Sequence, residues 1–276
     1  MKEIEIVVLV LGLMGFLFSL LLAFLSKKLK VEEDSRVEKI IGILPGINCG
    51  ACGFSGCAAF AQAVVKNSKI FSGCLPGGPQ VNKEIGALIG VSEVANVQNK
   101  ALICHCGACD KEKLTSTLYQ GPLTCAAAHI SGGALDCSWG CLGLGDCAMA
   151  CPTGALVVKE RKVYIDYAKC INCGKCLREC PRNLFELIPV EKNKPIYYVA
   201  CNSKEKAPVV KKACSKGCIG CGICVKLPGS PFYLSENISY IAYQKIPSPE
   251  IMEDARNRCP TECIIKVDSP FRKSES

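Results

Sequence analysis

Twenty-three cysteines stand in this chain of 276 residues, and their spacing is that of ligands. In Cys170-x2-Cys173-x2-Cys176-x3-Cys180-Pro181, three thiolates on one loop can converge on a single iron–sulfur cluster. The fourth points away and reaches a second cluster of the pair. A structural zinc site uses paired C-x2-C knuckles with a longer gap, which does not fit a three-cysteine loop ending in Cys-Pro. The commonest work of such clusters is electron transfer, so this one run points to redox chemistry.

Its partner is Cys137-x3-Cys141-x5-Cys147-x3-Cys151-Pro152. Crossed ligation predicts Cys137, Cys141, Cys147 and Cys180 on one cluster, and Cys151, Cys170, Cys173 and Cys176 on the other. Upstream, Cys49-x2-Cys52-x4-Cys57 with Cys74 forms a glycine-rich set. Gly50, Gly53 and Gly56 let backbone amides approach an anionic group, and a helix opening near Cys57 adds its positive end. A zinc knuckle is the alternative there. Downstream, Cys218-x2-Cys221-x2-Cys224 takes Cys259-Pro260 as its fourth ligand. Cys104, Cys106, Cys109 and Cys125 form a further candidate set, with zinc or free thiols as alternatives and His105 a bystander. Cys201, Cys214 and Cys263 are left over, either as plain buried thiols or as ligands of a labile cluster, with Cys214 also able to replace one of the named ligands. The sum is three to five 4Fe-4S clusters.

Other chemistries are excluded. His105 and His129 are the only histidines, nothing arranges a hydrolytic triad, and neither dinucleotide nor P-loop fingerprints occur. There are no catalytic residues of bond-making type. The formal charge of +8 counts cysteine as neutral. Each four-thiolate cluster brings about −2, so no nucleic-acid partner follows from the charge. The lysines offset cluster charge or meet an acidic partner.

The elements that must position these thiols begin with Ile6–Leu25, an uncharged apolar run. At about 1.5 Å per residue it spans about 30 Å, the depth of a bilayer core. Lys27, Lys28, Lys30 and Arg36 follow it, which puts the N-terminus outside and the bulk on the cytoplasmic side. A cleaved signal peptide needs a basic leader, a shorter core and a small-residue cleavage site, none of which is present. A reducing cytoplasm favours metal ligation over disulfides.

The chain divides into an anchor (1–26), a linker (27–44), a cysteine module (45–90), a cysteine-containing connector (91–136), a two-cluster ferredoxin unit (137–190), a worn copy of that unit (191–267) and a polar tail (268–276). Residues 137–156 align with 214–232, matching Cys137, Cys141 and Cys147 to Cys214, Cys218 and Cys224. Pro228 stands where the copy would carry Cys151, so the copy is expected to hold one cluster. Cys57–Lys66 reads as a helix and Leu156–Asp166 as a hairpin. The fold class is α+β, one transmembrane helix followed by small iron–sulfur modules.

The order of parts resembles one family: an apolar anchor, CGACGFSGC with GCLPGGP, CSWGCLGLGDCAMACP, then CINCGKCLRECP. It is similar to the B subunit of the Rnf electron-transport complex over residues 1 to about 265. The resemblance implies an electron-relay subunit of a membrane-bound, ion-translocating ferredoxin:NAD oxidoreductase. Its partners would be soluble ferredoxin, the other subunits and the inner (cytoplasmic) membrane. The alternatives are an iron–sulfur subunit of a corrinoid-activating or hydrogenase-linked membrane oxidoreductase, and a membrane-anchored zinc scaffold.

Overall fold

The computed structural model describes residues 2–28, 34–91, 100–191, 194–245 and 248–268. Residues 29–33 of the linker (Lys30 among them), 92–99 of the connector and 269–276 of the tail lie outside the described residues. Helix α1 (Lys2–Lys28) takes up the apolar run. Its stretch Val8–Leu25 is long and apolar enough to cross a membrane, and none of it is buried against the rest of the chain.

The first cysteine module is helical: α2 (Ser35–Ile43), α3 (Cys57–Lys66) and α4 (Gly78–Ile89). Asp34 caps α2 by accepting the Arg36 N–H at 2.9 Å. Val37 and Ile40, on one face of α2, meet Phe60, Ala61 and Val64 of α3 and Ile85 of α4 in a closed core. Pro79 sits in the first turn of α4, where its missing N–H costs nothing. Gly90, at φ +74°, ends that helix in the left-handed conformation.

Two similar units follow. The first runs β1 (Lys100–Cys104), α5 (Cys125–Ile130), α6 (Asp146–Met149), β2 (Leu156–Lys159), β3 (Lys162–Ile165), α7 (Lys175–Glu179) and β4 (Phe185–Pro189). The second runs β5 (Ile196–Val199), α8 (Ala207–Ala213), β6 (Phe232–Ser235), β7 (Ile238–Ile241), α9 (Pro249–Asn257) and β8 (Ile264–Val267). In each, the outermost strands close the unit as an antiparallel pair. Cys104 lies opposite Phe185 in β1–β4, and Val199 opposite Ile264 in β5–β8. Strand β1, from the stretch expected as a connector, thus pairs with the last strand of the first unit.

Each unit also carries a hairpin, β2–β3 and β6–β7. The turns use Glu160-Arg161 (φ 49° and 53°) and Glu236-Asn237 (φ 48° and 66°). Two successive residues with positive φ are what a two-residue type I′ turn requires. The helix at Cys57–Lys66 and the hairpin at Leu156–Asp166 are where the sequence predicts them. The second hairpin carries no glycine and no Asn-Gly signal, and the sequence does not announce it.

The two outer strand pairs pack on one another through Ala101, Ile103 and Ile188 on one side and Ile196, Tyr198 and Ala200 on the other. The loop after β1 is stitched to the second unit: Gly107 N–H donates to Ala200 O at 2.9 Å, Leu114 N–H to Ala213 O at 2.9 Å, and Ser215 N–H to Glu112 O at 3.0 Å. A Cβ on Gly107 would lie 2.7 Å from Ile265 Cδ1 and 2.8 Å from Ala200 Cβ, so this contact tolerates no side chain.

Candidate metal centres

Cys49, Cys52, Cys57 and Cys74 line one cavity of about 330 Å³, with Gly50, Gly56 and Phe60. Cys57 opens α3, and its N–H donates to Asn48 Oδ1 at 2.8 Å. A Cβ at Gly56 would meet that same Oδ1 at 2.9 Å, which explains the glycine. Cys74 is held by Asn82, which is fully buried. Asn82 Oδ1 accepts the Cys74 N–H at 2.6 Å, while its Nδ2 donates to the carbonyls of Cys74 at 3.0 Å and Gly78 at 2.7 Å. Burial, with the three other thiols around it, pushes the Cys74 pKa up.

A second cavity, of about 370 Å³, is lined by Cys125, Cys141, Cys147 and Cys180. The sequence predicts Cys137 in place of Cys125, and the structure differs. Cys125 is the first residue of α5, and its N–H donates to Asp146 Oδ1 at 2.8 Å. Asp146 opens α6, which carries Cys147, so one carboxylate docks two helix starts together. Burial pushes Cys141 and Cys147 up to about 12.

Cys151, Cys170 and Cys173, expected in the companion set, lie near Cys176. Cys176 is pushed up to about 12 by burial, then by the neighbouring Cys170, Cys173 and Cys151. Burial also acts on Cys151, but N–H groups of Thr153, Ala155 and Leu156 and the Thr153 hydroxyl outweigh it and lower its pKa. Asn172 donates to Lys100 O at 2.7 Å and so ties this cysteine loop to β1.

In the second unit, Cys218, Cys221, Cys224 and Cys259 line a cavity of about 360 Å³ together with Cys263. Cys263 Sγ lies 3.6 Å from Cys259 Sγ. The neighbouring Cys263 thiol is the largest influence on both Cys259 and Cys218, holding Cys259 down at about 5 and Cys218 below the ordinary thiol range, while Cys263 itself is driven upward.

The group Cys104, Cys106, Cys109 and Cys125 is not brought together. Cys125 lines the cavity of Cys141, Cys147 and Cys180, and Cys104 is buried in the core of the first unit. The Cys109 N–H donates to Glu112 Oε2 at 2.7 Å, at the start of a 3-10 turn. Cys106 instead lines a larger cavity, of about 630 Å³, with Cys137, Cys201 and Cys214. The internal alignment of Cys137 with Cys214 is the signal that could have found this grouping.

Among the described residues, no three His, Cys, Asp or Glu side chains converge closely enough for a single metal ion. The cavities of the first module, of Cys125 and of the second unit are each lined by at least four thiols, the ligand number of a four-thiolate cluster. Burial holds the Cys141, Cys147 and Cys176 thiols above their ordinary range, so a metal bound there would displace protons.

Comparison with known proteins agrees with this chemistry. Residues 44–76 match the family model described as "Putative Fe-S cluster". Residues 136–184 and 169–227 match 4Fe-4S dicluster domains, and 215–266 a 4Fe-4S single cluster domain of Ferredoxin I. The chain is 34% identical to the B subunit of the ion-translocating oxidoreductase complex of Methanosarcina acetivorans, over 86% of this chain and 89% of the relative. It is 32% identical to the B subunit of the proton-translocating ferredoxin:NAD(+) oxidoreductase complex of Clostridium ljungdahlii, over 98% and 94%. It is 33% identical to the B subunit of the Na(+)-translocating ferredoxin:NAD(+) oxidoreductase complex of Acetobacterium woodii, over 76% of this chain but only 62% of that longer relative. Multiple 4Fe-4S domains, one apolar N-terminal helix fit for a membrane-associated protein, and these relatives agree: the chain belongs to the family of B subunits of Rnf-type ion-translocating oxidoreductase complexes, as an iron–sulfur subunit.

Proposed function

We propose that this chain accepts electrons from soluble reduced ferredoxin on the cytoplasmic side and relays them toward the membrane subunits of an Rnf-type complex. In that complex, electron flow between ferredoxin and NAD drives ion pumping. Helix α1 is its single pass through the inner membrane, with the N-terminus outside. The names of the relatives support the assembly, and the basic residues after Leu25 support the orientation.

The observation that carries the reading is the succession of cysteine-lined cavities from the first module to the last unit. Cys49, Cys52, Cys57 and Cys74 hold one 4Fe-4S cluster. Cys125, Cys141, Cys147 and Cys180 hold the second, and Cys151, Cys170, Cys173 and Cys176 the third. Cys218, Cys221, Cys224 and Cys259 hold the fourth. Clusters bound at these sites supply one-electron transfer. The residues around them fix the thiolates and exclude water: Asn82 clamps Cys74, Asp146 seats Cys125, and Leu184 and Phe185 close the core beside Cys141 and Cys147.

The test is anaerobic purification of the full chain in detergent, with iron and acid-labile sulfide counted and EPR recorded after mixing with reduced ferredoxin. Reduced-cluster signals growing at the expense of ferredoxin are expected. A colourless protein carrying zinc without sulfide would sink the relay. Protease digestion of sealed inverted vesicles reads the orientation, and a protected cysteine region would reverse it.

A further inference from the structure

We infer that Cys106, Cys137, Cys201 and Cys214 hold a further 4Fe-4S cluster, seated between the two ferredoxin-like units and adjoining a cluster site on each side. The inference rests on the reading of the chain as an iron–sulfur relay, and goes beyond it by assigning four thiols that lie far apart in the sequence.

Four observations carry it. The first is space. The cavity these thiols line measures about 630 Å³, against about 370, 360 and 330 Å³ for the other three cysteine-lined cavities, so a group of the same size fits.

The second is symmetry. Cys106 stands two residues after the end of β1, and Cys201 two residues after the end of β5. Cys137 stands four residues before Cys141, and Cys214 four before Cys218, its counterpart in the repeat. Each unit thus contributes the same pair of positions, and the packing of β1–β4 on β5–β8 brings the two pairs to one place. The bridge between Lys113 and Cys214, with the hydrogen bonds from Gly107, Leu114 and Ser215, fixes that register.

The third is unspent polarity. Trp139 lines the cavity, and its indole Nε1 is buried with no hydrogen-bond partner. A buried donor without an acceptor costs about 1–3 kcal/mol, and the sulfur of a bound cluster would accept it. Lys113 also lines the cavity, 6% exposed, its ammonium resting on the carbonyls of Cys141 and Arg161. Arg182, 8% exposed, donates to the carbonyls of Cys137 and Gly140. Two buried cations beside four thiols suit an anionic group.

The fourth is position. Cys106 Sγ accepts the N–H of Cys141, a residue of the adjoining site, at 3.2 Å. On the other side, Cys201 lies beside the backbone N–H of Cys218, which belongs to the site of the second unit. The cluster therefore touches the ligand frames of both units.

The experiment compares the full chain with Cys201→Ser, Cys214→Ser and, as a control outside every set, Cys109→Ser, all purified anaerobically in detergent. The Cys201 and Cys214 variants should each lose about four iron and four sulfide per chain, with one EPR signal, while Cys109→Ser keeps the full count. Unchanged iron and EPR in both variants overturns this site and leaves the relay standing. Absence of labile sulfide from the parent chain overturns the relay itself. Trp139→Phe keeps the proposal testable if the serine variants do not fold. It retains all the iron but lowers the midpoint potential of one signal, because a donor to sulfur is lost. Potentials all unchanged in Trp139→Phe overturn the site.

Discussion

The Asp146 carboxylate accepts the backbone N–H of Cys125 at 2.8 Å and, through its other oxygen, that of Ala126 at 3.1 Å. One side chain therefore caps a helix about twenty residues upstream and delivers Cys125 to the cavity of Cys141, Cys147 and Cys180. Hydrogen bonds to a charged group are worth about 1.5–3 kcal/mol each. Asp146→Ala should speed chelator-driven iron release from this site at least about tenfold. The site of Cys151, Cys170, Cys173 and Cys176 should be unaffected, as EPR during chelation would show. Equal loss from both sites would refute the assignment.

Cys263 Sγ lies 3.6 Å from Cys259 Sγ and lines the same cavity as Cys218, placed to donate to sulfur at the proposed site. Removing it in Cys263→Ala takes a hydrogen bond of about 1 kcal/mol from the reduced, more negative state, which lowers the midpoint potential of that cluster by roughly 40 mV. Redox titration followed by EPR measures it. A potential that rises, or does not move, contradicts the donor role.

Asn82, itself fully buried, makes three hydrogen bonds around Cys74. Asn82→Ala strands those backbone groups and should destabilise the first module by about 3 kcal/mol. The urea midpoint for loss of its cluster absorption should fall, with the signals of the later units kept.

The chain stripped of iron should lose stability at alkaline pH. Burial raises the thiols of Cys141, Cys147, Cys176 and Cys201 from 9.0 to about 12 in the folded state. Above about pH 9 the unfolded chain releases protons that the folded chain still holds, so unfolding is favoured progressively from about pH 9 to about 12. Below about pH 9 these thiols are protonated in both states and add no slope. Thermal unfolding of the stripped protein, followed from neutral to strongly alkaline pH, reads this directly. A midpoint that rises on the alkaline side would contradict the burial of these thiols.

What the sequence makes legible follows from range. The spacings within Cys49–Cys57, Cys170–Cys176 and Cys218–Cys224 are local and set by short loops, so the grouping of these thiols can be read directly. The fourth thiol of a set comes from elsewhere, and there spacing misleads. Cys137 lies near Cys141 in sequence but turns to Cys106, while Cys125 arrives through Asp146. Cys201 and Cys214 look surplus in the sequence because their partners sit in the other unit. Only the face-to-face packing of two strand pairs, with Gly107 at the contact, makes them neighbours. The hairpin at Glu236-Asn237 is hidden for another reason. Its left-handed turn is imposed by the strands it joins and not by a residue that prefers it.

The closure of each unit by its first and last strands also sets an order of biogenesis. β1 cannot pair until β4 has been synthesised, and the cavity shared by Cys106, Cys137, Cys201 and Cys214 cannot exist until α8 follows. Domains emerge and fold from the N-terminus first. Iron delivery to the helical module can therefore precede completion of the chain, whereas the shared cavity is assembled only after both halves are in hand. Maturation of that position would then report that the two repeats have docked correctly.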